Sequence, residues 1–170
     1  MRLNWFQRAI QDYRRVPFEI ESKQIVQLDR LQHAINYYRS KEDNGSDTYV
    51  ETDIPSICRV FIITGIEHAM KVGFSSFTKA FRHYMDEQRI RTNIQYKSTF
   101  AYLQSAEQRA LQDLYALVNE HLEDEHLSHY QPHYDIVVDD VVCFFIQNGC
   151  EEFTRISIPK ASSMLDIRSV

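Results

Sequence analysis

Cationic and aromatic side chains are concentrated between residues 71 and 102, in a chain of 170 residues whose formal net charge is -5. The cations are Lys71, Lys79, Arg82, His83, Arg89, Arg91 and Lys97, and the aromatic residues among or after them are Tyr84, Tyr96, Phe100 and Tyr102. Lysine and arginine neutralise phosphates and aromatic rings stack on bases, so this pattern is typical of a DNA- or RNA-binding surface. The alternative is a set of solvated cations around core aromatic residues, which the helix and strand spacing also fits.

A second group of side chains with metal-binding chemistry follows further along the chain. It consists of His121, His126, His129 and His133, interleaved with Glu123, Asp124 and Glu125. Imidazole and carboxylate groups at such short intervals are ligands that zinc accepts. Histidines also complement the dipole at the end of a helix, so a solvated segment is the alternative. The cysteines, Cys58, Cys143 and Cys150, are too scattered to complete a zinc site, and their odd number indicates reduced, buried thiols.

The elements that must position these residues are predicted from the spacing of apolar and β-branched side chains. They are a strand over 58–64, a second strand over 70–74 after a turn at Gly65, a helix over 77–88, a strand over 94–103 and a helix over 105–122. The first two strands form a predicted hairpin. Ser105 and Gln108 have the spacing of a capping box at the start of the last helix.

The remaining segments differ in composition and suggest how the chain is organised. Helical spacing on both sides of Pro17 predicts two helices, and polar, turn-rich residues follow them. The predicted organisation is an N-terminal helical arm over 1–40, a linker over 41–54, an α/β domain over 55–158 and a tail without clear periodicity over 159–170. Glycine and proline, with four residues each, are too sparse for a turn-dense sandwich, so helix should outweigh strand. We expect an α/β fold of the α+β type, with a small mixed sheet and flanking helices.

The predicted order strand, turn, strand, helix, strand, helix resembles the GIY-YIG nuclease superfamily. The residues that carry the resemblance are Val60-Phe61-Ile62, Lys71-Val72-Gly73-Phe74-Ser75, then Lys79 and Arg82, then Ala106-Glu107. The match is closest to the phage-type branch, whose second motif commonly reads Lys-Ile-Gly, and it covers residues 57–137. The resemblance implies a GIY-YIG-like domain that binds or cleaves DNA.

Site residues follow from that resemblance. It implies a catalytic site of Phe61, Lys71, Gly73, Lys79, Arg82 and Glu107, and nucleic-acid contacts from Lys71, Lys79, Arg82, Arg89, Arg91 and Lys97. Glu107 would hold one divalent cation, Mg²⁺ or Mn²⁺. Phe61 and Lys71 stand where the family has tyrosines, and neither replaces a phenol in proton transfer. An impaired or inactive nuclease is therefore the alternative to an active one.

No apolar stretch approaches the roughly 18 residues that a membrane span needs, so we expect no membrane partner and a cytoplasmic location. A function of another class stays open. The chain would then be a non-enzymatic phage or viral interaction protein that docks on a protein partner, or on itself, through aromatic-rich N-terminal helices. The aromatic residues that suggest this role are Trp5, Phe6, Tyr13, Tyr37 and Tyr38.

Overall fold

A computed structural model describes residues 12–42, 51–129 and 133–168. In these ranges the elements are β1 (Tyr13–Glu21), α1 (Ser22–Glu42), α2 (Ile54–Val72), α3 (Phe74–Ile90), β2 (Tyr96–Gln104), α4 (Ser105–His129), α5 (Val138–Arg155) and α6 (Ile158–Arg168). The fold is mixed α and β, and helix outweighs strand as predicted. The described strands form one two-stranded antiparallel sheet rather than a mixed sheet.

Strand β1 pairs with β2 so that Val16 lies opposite Ala101. Side chains alternate across the sheet, and Phe18, Ile20, Ala101 and Leu103 are buried on the inner face. The predicted strand over 94–103 is confirmed as β2. The first arm helix was predicted to reach Tyr13 and stop at Pro17, but residues 13–21 are a strand; Trp5 and Phe6 lie outside the described residues.

Helix α2 replaces the hairpin predicted over 58–64 and 70–74, so that prediction is wrong. Asp53 caps the helix, because its Oδ1 accepts the backbone N–H of Ser56 at 2.9 Å, and Pro55 lies in the first turn. All residues from 57 to 62 are buried. This part of α2 is buried around its whole circumference and contains one charged residue, Arg59, so its sequence lacks the one-sided apolar pattern of a surface helix.

Helices α2 and α5 are close enough for phenylalanine rings to lie directly over glycines. A Cβ atom at Gly65 would overlap the ring of Phe145, and one at Gly149 would overlap the ring of Phe61. The order of the two contacts is reversed along the two helices, which therefore run antiparallel. Since glycine inside a helix costs about 1 kcal/mol relative to alanine, both glycines are explained by this packing.

Replacing Gly65 with alanine is expected to lower the free energy of unfolding by about 1–3 kcal/mol. The reason is that the overlap with Phe145 outweighs the gain in helix propensity. Urea unfolding measures the change. Asn148→Ala, at an exposed position beside Gly149, is the control and should change stability by less than about 0.5 kcal/mol. Unchanged or increased stability of Gly65→Ala would contradict the close packing.

The other predicted elements agree in part with the structure. The helices over 77–88 and 105–122 are confirmed as α3 and α4, although α4 continues to His129. The segment 123–133, interpreted as a solvated loop, is thus mostly helical. The tail contains α6, which begins at Ile158.

Both ends of the described chain contribute to the same core as the centre. Leu28 and Ile35 of α1 and Ala161 and Leu165 of α6 are buried in it. Arg39 joins these helices by donating to Ser162 Oγ at 2.8 Å and by contacting Asp166. The predicted division into arm, linker, domain and tail stays a prediction.

Candidate functional site

Phe61, predicted as part of a catalytic site, lies in the core. Its side chain is 2% exposed, and its ring meets Phe153 edge-on with centroids 5.0 Å apart. Because α2 is a helix, the residues of the two nuclease-like motifs are not on neighbouring strands. Gly73 has a φ of 86° and separates α2 from α3, so its conformation serves a helix–helix junction instead of a hairpin end.

Glu107, the predicted metal ligand, is held by a partner from α2. Its Oε1 accepts from Arg59 Nη2 at 2.6 Å, and its Oε2 accepts from Arg59 Nε at 3.2 Å and from the backbone N–H of Gln104 at 2.9 Å. The Arg59 guanidinium also lies 4.9 Å from the ring centroid of Tyr13.

Glu107, and not the predicted box of Ser105 and Gln108, makes the capping contact that the structure shows at the start of α4. A divalent cation at Glu107 would have to displace a guanidinium that already neutralises it.

Two of the predicted phosphate-binding arginines form ion pairs within the protein. Arg82 pairs with Glu125 of α4, and Arg91 donates two hydrogen bonds to Glu21, both 2.8 Å long. Arg89 lies over the ring of Tyr134, at 5.1 Å from its centroid.

The predicted lysines are exposed on three different elements, with Lys71 on α2, Lys79 on α3 and Lys97 on β2. The aromatic residues of the same stretch are divided as well, because Tyr84 is buried on α3 while Tyr96 is 48% exposed on β2. The contacts of Glu107 in the described part of the chain are with Arg59 and Gln104, and none of the predicted nucleic-acid residues is among them.

The histidines predicted as zinc ligands have partners along α4 and just after it. His121 lies 3.5 Å from Glu125, His133 lies 3.0 Å from Glu123, and the rings of His126 and His133 are 5.4 Å apart between centroids. The side chain of His129 lies outside the described residues. Across the described ranges, no group of three or more histidine, cysteine, aspartate or glutamate side chains could hold a metal ion.

The three cysteines are buried and reduced, as predicted. Burial raises the pKa of Cys58 well above its ordinary value and raises the pKa of both Cys143 and Cys150 to about 12. Since the thiolate is the reactive form, none of the three is a nucleophile at neutral pH.

A cavity of about 570 Å³ lies between α2, α3 and the second half of α5. We call it the three-helix pocket. Its lining combines buried aromatic rings, which we call the floor, with exposed and mainly polar residues, which we call the rim. The floor consists of Phe61, Phe77, Tyr84, Phe144, Phe145 and Phe153, and the rim consists of His68, Val72, Ser76, Ala80, His83, Glu87, Asn148, Glu151 and Glu152. The rings of the floor pack against one another; Phe77, for example, lies 5.8 Å from Phe144 between centroids.

The charged side chains that line the three-helix pocket are acidic. Glu87, Glu151 and Glu152 line it, and the lining contains no lysine or arginine among the described residues. Glu87 lies 3.3 Å from His83, and Arg155, outside the lining, reaches Glu151 at 3.8 Å. Glu152 is an exposed carboxylate at the same opening.

The lining also contains a neutral polar residue, Gln147. Gln147 donates its side-chain N–H to Glu151 at 3.4 Å, and its carbonyl oxygen is buried without a hydrogen-bond partner among the described residues. A buried acceptor without a donor is uncommon and costs free energy. Since this oxygen has almost no accessible surface, it lies within the wall and not on the surface of the cavity.

One side of the three-helix pocket could have been predicted from the sequence, but the interpretation of 58–64 as a strand prevented this. Phe61, Gly65 and His68 recur at helical spacing and line the pocket from α2. Asp53 followed by Pro55 is a helix-start pattern that marks the correct element.

Comparison of the chain with protein-family models, curated proteins and solved structures found no match. None of the helices in the described ranges combines the length and the apolar character that crossing a bilayer requires.

Proposed function

We propose that the chain is a binding protein whose three-helix pocket takes a small organic cation with an apolar body. The observation that supports this function is the combination of an aromatic floor with a rim whose charged groups are carboxylates. The volume of about 570 Å³ lies within the range of roughly 300–1,000 Å³ that small-molecule sites occupy.

The apolar body would be recognised by the aromatic floor. Gly65 and Gly149 allow the rings of Phe145 and Phe61 to lie close to the opposite helix backbone, which fixes the floor before a ligand arrives. A pocket that is already formed loses little conformational entropy on binding, and this favours affinity.

The cationic end would be recognised at the rim. Glu87, Glu151 and Glu152 attract an ammonium group. Ammonium ions also interact favourably with aromatic rings, whereas an anion of the same size would be repelled.

The nuclease-like function has less support from this geometry, because Phe61 is in the core and Glu107 is neutralised by Arg59. DNA binding by the exposed lysines stays a prediction. The same holds for docking on a protein partner.

Isothermal titration calorimetry with tryptamine and with indole-3-acetate tests the proposal, since these probes share the indole ring but carry opposite charges. Tryptamine should bind and indole-3-acetate should bind at least about tenfold more weakly, a difference of about 1.4 kcal/mol. Glu152→Gln should weaken tryptamine about two- to fivefold, as expected for an exposed ion pair of up to about 1 kcal/mol. Asp113→Asn, an exposed acid on α4 outside the pocket, should leave the affinity unchanged.

Filling the pocket provides the matching steric test. Ala80→Trp places a large ring at an exposed lining position and should abolish tryptamine binding, whereas Lys79→Trp, its exposed neighbour outside the lining, should not. Equal affinity for the two probes, or tryptamine binding that Ala80→Trp leaves intact, would overturn the proposal.

A further inference from the structure

Two histidines lie on the rim of the three-helix pocket, on different helices. His68 is on α2 and His83 is on α3, and both side chains are exposed. The recognition proposed for the cation uses neither of them. Histidine is the side chain that ordinarily gains a positive charge between about pH 8 and pH 5. The rim therefore carries two groups whose charge depends on pH near neutrality.

The other titratable groups of the lining come from α3 and α5. Glu87 lies on α3, and Glu151 and Glu152 lie on α5, where Arg155 reaches Glu151 from outside the lining at 3.8 Å. Glutamate ordinarily takes up a proton only near about pH 4.3, so these carboxylates stay negative in mild acid. Burial raises the pKa of Tyr84, so its phenol stays neutral. The histidines are thus the lining groups that respond to a change from pH 8 to pH 5.5.

Protonation of the histidines changes the charge that a ligand cation meets at the rim. The carboxylates of the lining act alone at pH 8, whereas two imidazolium groups oppose them in mild acid. His83 acts in a second way, because its Nε2 lies 3.3 Å from Glu87 Oε1 and the protonated ring forms an ion pair with that carboxylate. Acid therefore repels an ammonium group and also occupies one of the carboxylates that attract it.

We propose that His68 and His83 make capture of the cation depend on pH, with stronger binding at pH 8 than at pH 5.5. The inference rests on the ligand proposed for the three-helix pocket and adds its regulation. The coupling between ligand and proton is reciprocal. A bound ammonium group disfavours the protonated histidines, so binding at a pH between these values releases protons from the rim.

Isothermal titration calorimetry with tryptamine at pH 8 and at pH 5.5 tests this regulation. The primary amine of tryptamine, like that of lysine, stays charged at both values. The dissociation constant should be about three- to tenfold higher at pH 5.5, as expected for like charges at an exposed rim. Tryptophol, which has the indole ring but an uncharged hydroxyl group, should bind equally at the two values if acid leaves the pocket itself intact.

Variants at the two histidines identify the groups that respond to acid. In His68→Gln/His83→Gln, the ratio of the two dissociation constants for tryptamine should fall to about one. His68→Lys carries its positive charge already at pH 8 and should weaken tryptamine there about two- to fivefold. His33→Gln is the matched control, because His33 lies on α1 outside the lining and, like His83, contacts an acid one turn away, Asp29, at 3.5 Å. It should keep the wild-type ratio.

The outcomes distinguish the role of the histidines from the ligand proposal. Failure of tryptamine to bind at pH 8 would overturn the ligand proposal and the regulation with it. Binding at pH 8 with the same dissociation constant at pH 5.5, or a ratio that the double variant retains, would overturn the role of the histidines and leave the pocket as a cation site. A parallel loss of tryptophol binding at pH 5.5 would also overturn that role, because acid would then act on the fold and not on the charge of the rim.

Discussion

Replacing Phe61 with alanine is expected to lower the free energy of unfolding by about 3–5 kcal/mol. The ring is 2% exposed, lies over Gly149 and contacts Phe153, so its removal leaves a cavity between two closely packed helices. Urea unfolding followed by circular dichroism measures the loss.

A more conservative variant separates packing from chemistry at this position. Phe61→Leu keeps most of the buried volume and should cost less than half as much as the alanine variant. A loss below about 1 kcal/mol for Phe61→Ala would contradict the core assignment and revive the catalytic role that the sequence suggested.

Replacing Arg91 with leucine is expected to destabilise the fold by about 3 kcal/mol, at the lower end of the range for breaking a buried pair. Glu21 is 2% exposed and would lose both hydrogen bonds from the guanidinium, while Lys23, at 3.2 Å, would remain. The partial exposure of Arg91 keeps the expected loss below the upper end. Arg155→Leu, which removes an exposed pair with Glu151, should cost less than about 1 kcal/mol.

The loss of stability in Arg91→Leu should depend on pH in one direction. Burial alone raises the pKa of Glu21, but the hydrogen bonds from Arg91 and Lys23 outweigh burial and leave that pKa below its ordinary value. A lowered pKa contributes stability that is fully present above the unfolded value, about 4.3, and is lost as the pH falls through the folded value. The stability difference between wild type and Arg91→Leu should therefore shrink in acid, and a difference that grows in acid would contradict this assignment.

The parts of the fold that could be predicted have an unambiguous periodicity. Helix α4 has a one-sided apolar pattern, and β2 begins with an alternation that gives way to a longer apolar run, so both were found. Helix α2 was missed because a run such as Val60-Phe61-Ile62 has no polar side from which a period could be read. Its β-branched residues favour strands locally, but the stretch 57–62 forms a helix that is buried in the core.

The candidate site was harder to predict than the fold, because its residues come together only in three dimensions. The three-helix pocket needs α2 to be a helix and needs α5 to cross it at Gly65 and Gly149. Likewise, the partners of Glu107 and Glu21 are Arg59 and Arg91, which are distant in sequence. Glu107, the predicted metal ligand, and Glu21 are therefore both neutralised by contacts that no local pattern reveals.

An isotope-filtered NOE spectrum of the ¹³C-labelled protein with unlabelled tryptamine tests the ligand-binding role most directly. The account predicts cross-peaks from the indole protons to the rings of Phe77 and Phe145 and to the methyl group of Ala80, and their loss in Ala80→Trp. Cross-peaks confined to residues outside the three-helix pocket, or none at a saturating concentration of tryptamine, would contradict it.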